Sequence, residues 1–155
     1  AWDSGVLCVV AAGNDYMSDV SWPAAGESVT AVSACGLEGA WPELASTGDA
    51  KADEPPMVDG VFFANFSNVG EQIDLTAPGV GVISKVTAQE IGVMDGTSMA
   101  CPAVAAQLAR LLSKESDLLT APRDSARSAR LALLASNVAK QIGFGQLYEG
   151  RGRLP

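Results

Sequence analysis

The stretch DGTSMACPAVAAQLARLLS, residues 95–113, joins a tight turn to a long run with helical character. Apolar residues recur in this run at the spacing of one broad, buried helix face, at Ala100, Val104, Leu108, Leu111 and Leu112. Pro102 falls early, in the first turn, where a helix tolerates proline because the amides there have no carbonyl partner to lose. The pattern predicts a helix over residues 98–113 that is packed against other elements.

Two apolar runs upstream of this helix predict strands of a sheet. Residues 5–12 read GVLCVVAA and residues 28–35 read SVTAVSAC, and each run ends at a glycine. Continuous apolar runs of this length are typical of parallel strands that are covered on both faces. The long connection between them also favours parallel neighbours.

The remaining elements complete an α/β pattern. Residues 62–66 and 73–76 are shorter strand candidates, and residues 80–87 and 90–94 alternate as a β-hairpin around Ala88 and Gln89. A second helix is predicted over residues 124–140, opened by Asp124 or Ser125 as its N-cap. We therefore predict a three-layer α/β fold, with a mostly parallel sheet flanked by helices and a hairpin before the helix at residue 98.

Length and charge limit the class of protein. The chain has 155 residues, of which 48% are hydrophobic, as expected for one domain or part of one. Its formal net charge of -8 and its pI of about 4.3 argue against nucleic-acid partners and anionic membrane surfaces. The longest nearly uninterrupted apolar run, residues 6–12, is too short to cross a bilayer, so no membrane partner is predicted.

Cysteines and acidic residues give no clear metal pattern. Residues 37–60 are rich in carboxylates and prolines without the regular spacing of a calcium loop, so a solvated loop is predicted and a cation site is the less favoured alternative. Cys8, Cys35 and Cys101 match no zinc or haem spacing. We predict buried, reduced thiols, and a bridge between Cys8 and Cys35 is the alternative.

Ser98 stands where a hydroxyl nucleophile would need to stand. Gly96 and the small Thr97 allow close approach of the backbone, and Ser98 opens the predicted helix, whose first N–H groups attract negative charge. Serine is also a leading N-cap residue, so the local pattern fits a purely structural role as well. The two readings remain open on this pattern alone.

A wider resemblance bears on this choice. DGTSMACP at residues 95–102 resembles the nucleophile motif of the subtilase family, and VVAAGN at residues 9–14 resembles the strand end that carries its oxyanion hole. VTAVSA at residues 29–34, FSNVGEQIDLTAPG at 66–79 and GFG at 143–145 follow in the order of the family. Residues 1–155 are thus similar to the C-terminal portion of a subtilisin-like catalytic domain.

The resemblance implies a set of roles. Ser98 would attack a peptide carbonyl of a polypeptide substrate, and Asn14 would donate its side-chain amide to the oxyanion, together with the backbone N–H of Ser98. Ala11, Ala12 and Gly13 would form one wall of the pocket for the side chain that precedes the scissile bond. No cofactor is implied except calcium, which no motif here supports. A secreted or cell-surface location is typical of the family.

The sequence departs from the family pattern in two ways. It contains 0 histidines, so the histidine and aspartate of a triad, which precede the serine in this family, are expected from missing upstream sequence. Ala103 stands where the family has a histidine after the proline, a change expected to affect helix packing. The chain alone is predicted to be inactive, because a serine without a base is a weak nucleophile. A non-catalytic module derived from a subtilase is the alternative, and acyl transfer by the same site also stays open.

An isolated half of such a domain would leave one strand incomplete. The strand near residues 6–10 would keep an unpaired edge and an uncovered apolar face, which proteins rarely tolerate. We therefore expect the missing N-terminal half, or a second copy of the chain, to cover that edge.

Overall fold

A computed structural model describes residues 1–40 and 50–155 of the chain. The acidic loop that the sequence predicts over residues 37–60 lies partly outside the described residues. The described chain contains six strands and four α-helices, whose arrangement is given below.

The main sheet is built around one long strand. Strand β2 (Val29–Leu37) pairs in parallel with β1 (Cys8–Ala11) at its start and with β4 (Ile73–Pro78) along its middle. Its last residues pair with β3 (Val61–Phe63) in the antiparallel sense. The predicted parallel pairing of the first two runs is confirmed, whereas β1 is shorter than the predicted strand over residues 5–12.

The predicted hairpin is present. Strands β5 (Val82–Lys85) and β6 (Ile91–Met94) form a separate two-stranded antiparallel sheet, in which Ile83 lies opposite Val93. Strand β6 ends just before the turn that begins the next helix, so the hairpin leads directly into the segment around Ser98.

Both predicted long helices are confirmed within a few residues. Helix α1 (Thr97–Leu112) is followed by the short helix α2 (Ser116–Thr120) and then by α3 (Ser125–Val138). The side chain of Asp124 accepts the backbone N–H of Arg127 at 2.9 Å and so caps α3. The sequence pattern did not predict α2 or the short helix α4 (Gln146–Glu149), because neither is long enough to show a periodic apolar face.

The two faces of β2 belong to different parts of the core. One face packs against α1 and α3 through residues that are all buried: Val32, Ala34, Leu75, Ala77, Ala100, Val104 and Ala135. Ala31 and Ile73 on the other face pack with Val20 and Ala24 from the loop after β1. The α/β class is confirmed, and among the described residues this second face is covered by that loop and by α4 rather than by a long helix.

The three cysteines are free, so the alternative of a Cys8–Cys35 bridge is wrong. Cys35 is buried as predicted, whereas Cys8 and Cys101 are half-buried. Burial raises the pKa of the Cys35 thiol to about 11. Within residues 1–40 and 50–155, no helix has both the length and the apolar character needed to span a membrane.

Candidate active site

Asn14 and the start of α1 meet at the end of β1. The side-chain oxygen Oδ1 of Asn14 accepts the backbone N–H of Thr97 at 2.9 Å and the Thr97 hydroxyl at 2.9 Å. The Thr97 hydroxyl also accepts the backbone N–H of Gly13 at 3.3 Å. Thr97 is fully buried, and its neighbour Ser98 is exposed as the second residue of α1. Ser98 is thus not the N-cap, a position that Gly96 occupies.

The two predicted oxyanion donors border the same small space. A Cβ atom added to Gly96 would lie 3.5 Å from Asn14 Nδ2 and 3.6 Å from the backbone nitrogen of Ser98. Because Oδ1 of Asn14 is held by Thr97, Nδ2 is directed away from Thr97. The N–H of Ser98 lies in the first helical turn, where a helix supplies no carbonyl partner. Gly96, with φ 153, leaves this space open where any other residue would fill it.

A buried asparagine organises the loop that follows Asn14. Asn68 has no exposed surface, and its Oδ1 accepts the backbone N–H of Asp15 at 2.7 Å. Its Nδ2 lies 2.9 Å from Asp15 Oδ2, 2.9 Å from the Asp19 carbonyl and 3.0 Å from Ser21 Oγ. Its backbone N–H donates to the Gly13 carbonyl at 3.0 Å. A Cβ atom on Gly13 would lie 2.4 Å from Asn68 Nδ2, so only glycine fits beside it.

No pattern in the sequence indicated a role for Asn68. It stands within the segment FSNVGEQIDLTAPG, which contributed only to the family resemblance. Its partners are separated from it by about 50 residues in the chain, for example by 53 for Asp15, and a sequence pattern cannot show contacts at that distance.

With this geometry in place, comparison with known proteins identifies the family. The model of the subtilase family matches residues 1–145. This chain belongs to the subtilase family.

Individual subtilases match along almost the whole chain. The halolysin-like extracellular serine protease Nep of Natrialba magadii is 37% identical over 150 residues, covering 97% of this chain and 22% of that protein. Subtilisin DY of Bacillus licheniformis is 31% identical over 150 residues, covering 94% of this chain and 45% of that protein. The structure of the self-cleaved protease domain of PatA matches with a TM-score of 0.67 and 27% identity, covering 97% of this chain and 47% of that one.

This subtilase chain therefore spans less than half the length of each of these relatives. Nep is named as a serine protease and the PatA structure as a protease domain, and membership of the family supports serine protease function. The comparisons agree with the resemblance that the sequence motifs indicated.

The three predicted pocket residues differ in accessibility. Ala11 and Gly13 are half-buried, whereas Ala12 is fully buried and packs with Val20 and Ala24. The side chain of Ala12 thus faces the core, and a pocket wall at this place would be made by its backbone and by its two neighbours.

Cys101 and Ala103 are residues of α1 that contact the sheet and the core of the subtilase chain. The Cys101 thiol donates to the Val9 carbonyl at 3.3 Å, and burial raises its pKa. Ala103 is half-buried against the core cluster between the sheet and α1. Within the described ranges, no three His, Cys, Asp or Glu side chains lie close enough to hold a metal ion.

Proposed function

We propose that this chain supplies the nucleophile and the oxyanion hole of a subtilisin-type serine endopeptidase. Ser98 Oγ attacks the carbonyl carbon of a peptide bond, its proton passes to a base, and the amine leaves with a proton from that base. Water then hydrolyses the acyl-enzyme by the same route. The base and its aspartate come from sequence outside this chain, because the chain contains 0 histidines. We call the complete polypeptide the parent protein.

One observation carries the proposal. Two N–H donors, Asn14 Nδ2 and the backbone N–H of Ser98, border one open space beside Gly96, at 3.5 and 3.6 Å from the point where a Cβ would lie. The negative oxygen of a tetrahedral intermediate needs fixed donors in a place that an incoming carbonyl can reach. Because Thr97 holds the carboxamide of Asn14, the donors are oriented before substrate arrives.

Covalent labelling tests the nucleophile. A fluorophosphonate probe should label the folded parent protein, and peptide mapping should find the adduct on Ser98. Ser98→Ala should abolish labelling, whereas Ser113→Ala should not, since Ser113 is an exposed serine at the other end of the same helix. A folded parent protein that takes up no probe would favour the alternative of a non-catalytic module.

The free edge of β1 supports a proposal about assembly. Among the described residues β1 pairs with β2 alone, and all four of its residues are half-buried. Beside it an open groove with a volume of about 310 Å³ runs between the segment before β1, α1 and α3. Its lining is mostly apolar, with Arg123 and Arg127 as its charged members, and includes Val6, Val9, Leu108, Ala109, Leu112 and Leu131. We propose that another segment of the parent protein, which also carries the base, covers this edge and groove.

Size-exclusion chromatography tests the need for a cover. The isolated chain should elute as a dimer or larger species, because an unpaired strand edge beside an apolar groove favours association. A well-folded monomer with β1 unpaired on its outer edge would contradict the proposal.

A further inference from the structure

Asn68 forms hydrogen bonds with both chain neighbours of Asn14: its backbone N–H donates to Gly13, and its side chain accepts from Asp15. We propose that Asn68 is a positioning residue that fixes the direction of the Asn14 carboxamide, and this rests on the oxyanion role proposed above. Asn68 itself does not touch the reacting atoms and acts through Asn14.

Asn68 restrains the backbone of Asn14 from both sides. The Gly13 carbonyl, which belongs to the peptide unit before the Asn14 Cα, accepts the backbone N–H of Asn68 at 3.0 Å. The Asp15 N–H, which belongs to the peptide unit after that Cα, donates to Asn68 Oδ1 at 2.7 Å. Since the two peptide planes determine φ and ψ of the residue between them, Asn68 restrains both backbone dihedrals of Asn14. The Thr97 hydroxyl, which donates to the Gly13 carbonyl at 3.4 Å, is a second contact to the first of these planes.

Thr97 holds the side chain of Asn14 at its oxygen. Thr97 donates twice to Oδ1, from its N–H and from its hydroxyl, each at 2.9 Å. The carboxamide of Asn14 is thus held at its oxygen by Thr97 and at its backbone by Asn68. With both ends fixed, Nδ2 has one direction, which is toward the space beside Gly96.

The loop that follows Asn14 depends on contacts from other segments for its conformation. Tyr16 and Met17 have φ of 53 and 62, a region that costs energy for residues other than glycine and persists only where the surroundings hold it. Nδ2 of Asn68 joins Asp15 and Ser21 from inside the loop at 2.9 and 3.0 Å. Removing this side chain would take away hydrogen bonds at four atoms of the loop and leave a cavity where the buried carboxamide stood, so we expect the loop to relax.

Ser67 offers a matched control. It is fully buried like Asn68 and adjacent to it, but its hydroxyl accepts the backbone N–H of Ala34 in β2 at 3.1 Å and lies 3.2 Å from the Asn68 carbonyl. Ser67→Ala should therefore lower stability without releasing either peptide unit beside Asn14.

The experiment is a double-mutant cycle in the parent protein. Peptide hydrolysis is measured for wild type, Asn68→Ala, Asn14→Ala, the double variant and Ser67→Ala, with kcat and KM separated and Tm recorded for each. We expect Asn68→Ala to lower kcat about tenfold or more with little change in KM, because a misdirected oxyanion donor affects the transition state. In the Asn14→Ala background the same substitution should cost less than about twofold, because the residue that it positions is gone.

Several results would overturn the inference. These are unchanged kcat in Asn68→Ala, an equal loss of kcat in Ser67→Ala, or an undiminished effect of Asn68→Ala in the Asn14→Ala background. If Asn68→Ala fails to fold, Asn68→Ser takes its place with the same expected direction. Both variants keep the backbone N–H to Gly13, and the serine hydroxyl makes the change milder because it leaves a smaller cavity and one polar group. Full hydrolysis by Ser98→Ala would overturn the proposed function together with this inference, whereas loss of hydrolysis in Ser98→Ala with additive Asn68 effects would overturn the inference alone.

Discussion

The end of β1 and its outer edge differ in how their polar backbone groups find partners. At the end, the residues from Gly13 to Asp15 are held by hydrogen bonds to Thr97 and Asn68, both of them buried. Along the edge, the described residues offer β1 no second strand, and the apolar groove beside it is open. The two candidate oxyanion donors are therefore held within this chain, while the strand that leads to them has no second neighbour among the described residues.

The difference separates two requirements of an active site. Donor groups must be fixed to within a fraction of an ångström, and here internal hydrogen bonds achieve this. Covering apolar surface needs only matching shape and area, which another segment can supply. The predictions below test whether this division holds, beginning with the largest expected effect.

The first prediction concerns the buried Glu149 carboxylate, whose hydrogen bonds within the chain should stabilise the fold. The buried carboxylate of Glu149 accepts the backbone N–H groups of Ile142, Gly143 and Gly145 at 2.6, 2.9 and 3.1 Å. Glu149→Ala should lower the free energy of unfolding by about 3–5 kcal/mol, because three backbone N–H donors lose their buried acceptor and a cavity is left in its place. Chemical denaturation of the parent protein measures the loss.

The exposed Glu90 gives the control for this substitution. Its carboxylate contacts only a threonine hydroxyl among the described residues, at 3.5 Å. Glu90→Ala should change the free energy of unfolding by less than about 0.5 kcal/mol. Similar losses for the two variants would show that hydrogen bonding to Glu149 is not what stabilises the C-terminal segment.

The second prediction concerns the end of β1. Asn14→Ala in the parent protein should lower kcat by about 10²–10³-fold and leave KM nearly unchanged, a magnitude already known for subtilisin itself, a member of the same family. The reason is that the donor acts on the oxyanion of the transition state more than on the ground-state carbonyl. Steady-state kinetics on a peptide substrate is the measurement, and a rise in KM at constant kcat would instead assign Asn14 to substrate binding.

The third prediction concerns the groove. Ala109 is exposed on α1 and lines the groove, whereas Ala129 is exposed on α3 and does not. If a segment of the parent protein covers the groove, Ala109→Lys should lower its stability by about 2 kcal/mol or more, since an ammonium group would be buried among apolar side chains and beside the like charges of Arg123 and Arg127. Ala129→Lys should have little effect, and equal Tm values for the two variants would show that the groove stays open.

The smallest effect is expected from the buried thiol of Cys35 in β2, as a change in the free energy of unfolding with pH. The pKa of Cys35 is raised by burial from 9.0 to about 11, so between these values the unfolded thiol ionises while the folded one stays protonated. Stability from this group is therefore complete below pH 9 and falls as the pH rises toward 11. Between pH 8 and 10 the loss should be about 1 kcal/mol.

Cys35→Ala separates this contribution from those of other titrating groups. The free energy of unfolding of the variant, measured by denaturation at several pH values, should fall less steeply above pH 9 than that of the wild type. Parallel curves would mean that the thiol ionises equally in both states.

The elements that the sequence predicted are those with local signals. The periodic apolar face of α1, the continuous runs of β1 and β2, and the Asp124 cap of α3 all depend on neighbouring residues, and each is present in the structure. The short helix α4 gave no such signal. The antiparallel pairing of β3 also lay outside the pattern, because it depends on a partner strand distant in the chain.

The candidate site was predictable only in part for the same reason. Asn14 and Ser98 lie in short motifs that can be read directly from the chain. Their connection through Thr97 joins residues separated by 83 positions, and the contact of Asn68 with Asp15 joins residues 53 apart. The burial of the Ala12 side chain likewise depends on the loop that folds back over the sheet.

The close contact of Gly13 with Asn68 has a consequence for altering this protein. The two residues share one volume, since a methyl group on Gly13 would overlap the Asn68 amide nitrogen at 2.4 Å, and Gly13 has φ of +114. Any redesign that seeks a larger residue at position 13, for instance to narrow a specificity pocket, must make room at position 68 and at position 21, because the added Cβ would also lie 2.6 Å from Ser21 Oγ, and must rebuild the turn. Change at position 13 is thereby tied to change at two distant positions, which restricts how this loop can diversify.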